Sequence, residues 1–210
     1  MTTDEFDLEF DLLYNNINSN LAPGINALEK SMFLTQAQDM FVKSMYEVKG
    51  FEDDESIMQA LAPLVKSKEY SSGEFEDDTN IYRVQIAKPK DMLYIVYEGA
   101  EIENGCSNKF AEVLPVKHDD INKISKNPFR GASKNRVLRT LEDNRIVIIS
   151  KFGLSKYSVV YIEKPSNIVL KGAAEFGVEG YTNEAGCMLP AHTHRTILMQ
   201  AVELAQSVWK

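Results

Sequence analysis

The 210-residue chain is poor in cysteine, histidine, proline and tryptophan, with two, three, seven and one of each. Cys106 and Cys187 stand 81 positions apart with no Cys-x-x-Cys pair. That excludes a disulfide framework or a paired-cysteine zinc module and points to free thiols in a reducing compartment. No apolar run approaches the ~18–20 residues that cross a bilayer, so no membrane partner is expected. The opening Met1-Thr-Thr-Asp-Glu5 lacks the basic-then-apolar pattern of a secretory signal, and no Asn-x-Ser/Thr acceptor occurs. A soluble intracellular chain is the expectation. Catalytic signatures are missing too: there is no GxxxxGK[ST] phosphate loop, no HExxH and no GxSxG elbow.

What is present is an ordinary globular composition, 44 % hydrophobic and 26 % charged. A chain of this size buries about 70 % of its unfolded surface, enough for a core without staples. The net charge of −8 is unevenly spread. Residues 1–80 carry 17 acidic and 5 basic side chains, whereas residues 117–156 carry 10 basic and 4 acidic. The acidic part repels phosphate and disfavours nonspecific nucleic-acid binding. Both blocks read either as solvated surface or as two complementary faces, the basic face of one copy meeting the acidic face of the next. Such head-to-tail contacts close into rings or run on as filaments.

Apolar periodicity organises the chain. Phe6, Phe10, Leu13, Tyr14 and Ile17 recur at helical spacing, followed by a turn at 18–24. Asn26 and Glu29 have capping-box spacing, and Leu28, Phe33, Ala37, Met40, Phe41, Ser44 and Met45 trace a stripe of a long helix ending before Gly50. A short helix starts at Asp53 or Asp54, turns Ile57, Ala60 and Leu61 inward, and stops near Pro63. The polar stretch 66–80 reads as a loop. Strands follow at 81–86, 93–97, 111–116, 137–141, 145–150 and 157–162, with a helical turn capped by His118 or Asp119 and containing Ile121 and Ile124. Residues 142–144 form a hairpin turn. The glycine-bearing segment 171–186 is too loose for a regular element, and Ile197, Leu198, Ala201, Leu204, Ala205 and Val208 form a closing helix. The expected class is α+β: an N-terminal helical region (1–65), a central antiparallel β region (80–165) and a C-terminal helix (188–210) packed on the N-terminal helices, in one compact unit.

Candidate chemistry is sparse. Gly172, Gly177 and Gly180 have the wrong spacing for a dinucleotide loop. His192 and His194, with His118 earlier in the chain and Cys187 able to join them, would make a metal site only if three or four ligands converged; capping and packing at the start of the last helix explains them better. Cys106 has no flanking nucleophile signature, and the acids of 52–55 and 74–78 suit a solvated face rather than an acid/base pair. The basic stretch Lys117 to Lys156, with Phe129, Arg130, Lys134, Arg136 and Arg139, suits protein contact better than nucleic acid, since it has one aromatic and no recognition motif. No catalytic residue, cofactor site or metal site is assigned. Lys134, Arg136 and Arg139 are the candidate subunit interface.

Several blocks, in order, resemble a structural protein family of crAss-like bacteriophages, short-tailed phages of gut Bacteroides. They are NLAPGINALEKSMFLTQAQD at Asn20–Asp39, LAPLV at Leu61–Val65, PVKHD at Pro115–Asp119, KNPFR at Lys126–Arg130, YIEKP at Tyr161–Pro165, Ile168–Leu170, and Leu189–Pro190 through His194–Arg195 to AVELA at Ala201–Ala205. Lys88-Pro-Lys-Asp91 departs from a Leu-Pro-Asp-Asp-like strand entry. The resemblance implies a virion protein made in the host cytoplasm, a head-to-tail connector or neck ring below the portal. It also implies a homo-oligomeric, dodecameric ring that contacts the portal and other neck or tail proteins, while genomic DNA passes through without sequence-specific binding. No catalytic residues come with it. The other class left open is a small phage-encoded enzyme or nucleic-acid-binding factor using His118, His192, His194 or the basic segment.

Overall fold

The computed structural model describes residues 1–17, 24–49, 55–71, 76–78, 83–104 and 107–208. The turn at 18–23, Gly50, the start of the third helix at Asp53 or Asp54, residues 72–75 and 79–82, Cys106, and the side chains of Ile17 and 76–78 lie outside that description. The chain separates into two compact units, 1–64 with 164–210, and 65–163. Together the helices and the mostly antiparallel sheet make an α+β protein, as the sequence pattern implies.

The first unit holds α1 (Thr3–Ile17), α2 (Ala27–Lys49), α3 (Glu55–Leu61) and α5 (Ala191–Val208). Helices α1 and α2 each begin at a side-chain cap. Asn26 and Glu29 exchange two 2.9 Å bonds, the expected capping box. Thr2 and Glu5 make a second one that the Thr-x-x-Glu spacing also encodes: the Thr2 amide donates to Glu5 Oε2 and the Glu5 amide to Thr2 Oγ1. Phe6, Phe10 and Tyr14 of α1 and Ile197, Leu198, Ala201 and Ala205 of α5 are buried, and α5 packs against both α1 and α2.

The apolar stripe drawn on α2 is rotated from its expected place. Leu34, Ala37, Phe41 and Val42 are buried, together with the polar Ser31, Thr35 and Gln38, while Met40 and Ser44 are exposed. The reason lies in the segment after the sheet. Ser31 Oγ accepts the Leu170 amide (2.9 Å), Thr35 Oγ1 accepts the Ile168 amide (3.1 Å), and Gln38 Nε2 donates to the Ser166 carbonyl (2.9 Å). Spaced i, i+4, i+7, these three side chains satisfy an extended backbone that has no strand beside it there. Ile168, Val169 and Leu170 are consequently buried. Residues 171–187, too glycine-bearing for a long regular element, fold back within the chain: Val169 and Ala185 exchange backbone bonds of 2.8 and 3.1 Å, and Ala173–Phe176 form a 3₁₀ turn.

The second unit is an eight-stranded sheet in the order β1-β8-β4-β5-β6-β7-β3-β2. The strands are β1 (Val65–Ser71), β2 (Glu76–Asp78), β3 (Arg83–Ala87), β4 (Met92–Asn104), β5 (Ser107–Pro115), β6 (Arg136–Glu142), β7 (Arg145–Ile149) and β8 (Leu154–Glu163). Two expectations need correction. Within the stretch 66–80 expected as a loop, residues 66–71 and 76–78 are strand: β1 is an edge strand, polar because most of its side chains face water, but its backbone pairs with β8 from Val65↔Ile162 to Ser71↔Lys156. The block is also not wholly antiparallel, since β5 and β6 run parallel from Glu112↔Arg136 to Pro115↔Arg139. The excursion 116–135 supplies the crossover that a parallel pair requires. It carries a 3₁₀ turn and α4 (Ile121–Ser125), neither of which has a side-chain cap from His118 or Asp119.

The sheet rolls on itself. Tyr70 of β1, Val84 and Ile86 of β3, Ala100 and Ile102 of β4, Val137 of β6, Ile148 of β7 and Tyr157 of β8 share one core. The Tyr70 hydroxyl donates to the Ala87 carbonyl at 2.8 Å, joining strands six places apart in the sheet order. Register shifts along β4 bend it toward this closure. The β6–β7 hairpin turns through Asp143, whose φ of 41° is the left-handed geometry of a tight two-residue turn. A smaller cluster, Val116, Ala132 and Leu138 with Ile121 and Ile124, seats the excursion on the outer face of β6.

Candidate assembly surface

The three basic residues singled out from sequence occupy three different environments. Arg139 follows Val137 by two residues and lies opposite Ile148, so it points into the rolled sheet. Its guanidinium grips Glu98 at 3.0, 3.1 and 2.8 Å, and the Tyr157 hydroxyl donates to the same carboxylate. The two charged side chains are only 13 % and 7 % exposed. Burial, and then the Glu98 charge, push the Tyr157 hydroxyl far above its ordinary range, so it stays a neutral donor. Arg139 is thus held by a partner inside its own chain.

Arg136 is a brace. Its Nη1 donates to the Phe129 carbonyl at 3.1 Å, and its Nε lies 3.8 Å from Glu112. The same tip is fixed from the other side by Asn127, whose Oδ1 accepts the amides of Phe129 (2.9 Å) and Arg130 (3.2 Å). Gly131 closes it: its amide meets the Asn127 carbonyl at 2.7 Å, and a Cβ there would lie 2.7 Å from that oxygen. The ring of Phe129, at the apex, is 88 % exposed. Around it Lys126, Arg130 and Lys134 are exposed and have no carboxylate partner among the described residues. Of the three candidates, then, Lys134 alone is an exposed cation without a carboxylate partner among the described residues, and Phe129, read from sequence only as the one aromatic of the basic stretch, is the exposed apex. Its signal was the Asn-Pro-Phe-Arg-Gly sequence, a turn that forces an aromatic outward.

His194 is buried against the Phe6 ring (centroids 5.4 Å apart), with Nε2 on the Leu189 carbonyl (2.7 Å) and Nδ1 accepting the Met1 amine (2.8 Å). Burial holds its pKa below the ordinary value, the Leu189 carbonyl opposing and the Met1 ammonium and His192 adding to the effect. His192 is exposed, and His118 Nε2 bonds the Leu141 carbonyl at 2.6 Å. The Cys187 thiol donates to Gln38 Oε1 (3.1 Å), and burial raises its pKa. Among the described residues no group of three His, Cys, Asp or Glu lies close enough to hold a metal ion. A groove of about 410 Å³ is lined by Glu69, Tyr70, Ser71, Glu101, Ser155 and Lys156 and is crossed by the 2.9 Å Lys156–Glu69 pair.

Charge sorts with the units. The helical unit carries 16 acidic and 7 basic residues, the sheet unit 15 and 16. Lys30, buried between Asp7 and Asp11 at 2.7 Å each, locks α1 to α2; burial works against its charge, but the two carboxylates win and its pKa lies above the ordinary value.

Comparison with known proteins supplies the family. The profile of the phage tail ring protein 3/4 family matches residues 1–209. The chain belongs to that family. It is similar to "Ring protein 3" of Bacteroides phage crAss001, 33 % identical over 222 positions that cover 98 % of this chain and 95 % of the relative. It is also similar to "Ring protein 4/5" of the same phage, 28 % identical over 232 positions that cover 100 % of this chain and 94 % of the relative. As a member, the chain is a structural ring protein of a crAss-like phage virion. No helix among the described residues is long and apolar enough to cross a membrane.

Proposed function

We propose that the ring formed by this chain is a head-to-tail connector, a tier of the neck below the portal that lines part of the conduit for genomic DNA, and that the protein does no chemistry of its own. The full-length match to two ring proteins of one tailed phage carries this reading. The ring is a homo-oligomer, a dodecamer, in contact with the portal protein and neighbouring neck or tail proteins. Copies joined head to tail need two unlike faces per chain. An acidic helical unit and a sheet unit with a basic, aromatic tip supply them. An acidic lumen passes DNA because it repels phosphate rather than gripping it. Deleting the gene and counting particles tests the role: DNA-filled heads without tails are expected, and a fixed-multiple band of this chain should appear in purified wild-type virions. Its absence from virions, or normal tails in the deletion, would overturn the proposal.

A further inference from the structure

Resting on the homo-oligomeric reading above, we infer that the Phe129 tip of one copy docks on the exposed face of α1 of the next copy. The tip is built as a rigid knob. Asn127, Gly131 and Arg136 fix its backbone, so little freedom is lost when Phe129 is buried by a partner. A preorganised aromatic surrounded by cations is the composition of an interface anchor. A tip cannot meet another tip, because the rims of Lys126, Arg130 and Lys134 would repel.

The complementary surface lies on the same chain. With Phe6, Phe10 and Tyr14 committed to the core, α1 turns Leu8 and Leu12, 64 % and 55 % exposed, to the opposite side. Spaced i, i+4, they form a short apolar stripe. Asp4 and Glu9 flank it, and Asp11, its side chain half exposed beside its bond to Lys30, borders it. An apolar centre with a negative rim matches an aromatic knob with a positive rim in both shape class and sign. Knob and stripe are different surfaces of one chain, so the contact is heterologous and repeats around a closed ring.

The test is photocrosslinking. The full chain carrying Phe129→p-benzoylphenylalanine is used to complement a deletion phage, and purified particles are irradiated. A crosslink from position 129 to residues 1–17 of a second copy is expected. Crosslinks to another virion protein or to another part of this chain, or none from particles that contain it, would overturn the inference while leaving the virion role intact; absence of the chain from particles would instead strike that role. A charge exchange reads the same contact without the probe. Lys126→Glu with Arg130→Glu should cut incorporation about tenfold or more, and Asp4→Lys with Glu9→Lys in the same chain should restore it. Equal melting temperatures for the purified variants separate assembly from folding, and failure of the exchange to restore incorporation also overturns the inference.

Discussion

Arg139→Glu and Lys134→Glu make the same charge change five residues apart in one basic stretch, yet they should differ sharply. Lys134 is exposed, and reversing an exposed charge shifts stability by about 0.5 kcal/mol or less. Arg139 lies inside the rolled sheet with three bonds to Glu98, and the Tyr157 hydroxyl donates to the same carboxylate. Reversal leaves two carboxylates side by side where only 7 % of the Glu98 side chain reaches water. Removing one member of a buried pair costs about 3–5 kcal/mol, mostly because the other is stranded. For a unit of about 100 residues each kcal/mol moves the midpoint by roughly 4–8 °C, so a fall of more than 10 °C is expected. The assay is thermal melting of the full chain by circular dichroism, with peptide-resolved hydrogen exchange to assign the loss to residues 65–163. Replacing the whole network by Glu98→Leu, Arg139→Met and Tyr157→Phe should recover most of the stability, because no buried polar group is then unpaired. Arg139→Glu melting within a few degrees of Lys134→Glu would refute the reasoning.

Ala201→Asp should destabilise the helical unit by about 3 kcal/mol or more, since Ala201 is fully buried where α5 packs, and urea denaturation measures it. Thr35→Val keeps the volume but strands the Ile168 amide; a loss of about 1–3 kcal/mol and faster exchange of that amide are expected. His194 has a folded pKa below its unfolded one, so the unfolded chain binds the extra proton; stability should be intact above the ordinary histidine range and fall as pH drops through about 6.5. Midpoints across that range should decline for the wild type and lose part of that slope in His194→Gln.

The helices were legible because their signals are local. Thr-x-x-Glu and Asn-x-x-Glu mark two starts, Pro63 follows the close of α3, and Phe6, Phe10 and Tyr14 repeat with the helical period. The β6–β7 hairpin was readable for the same reason, through its Asp143–Asn144 turn. What tertiary structure decided was every choice between two faces. In Arg136-Val-Leu-Arg-Thr140 both sides of the strand are apolar enough to be buried, and only rolling of the sheet sends Arg139 inward with Val137, leaving Leu138 to the outer cluster. Ser31, Thr35 and Gln38 are inward-facing only because residues 166–170, more than a hundred positions away, bring unpaired backbone to them. Likewise β1 looked like a loop because an edge strand facing water needs no alternating pattern; its pairing with β8 is made by backbone groups that every sequence carries.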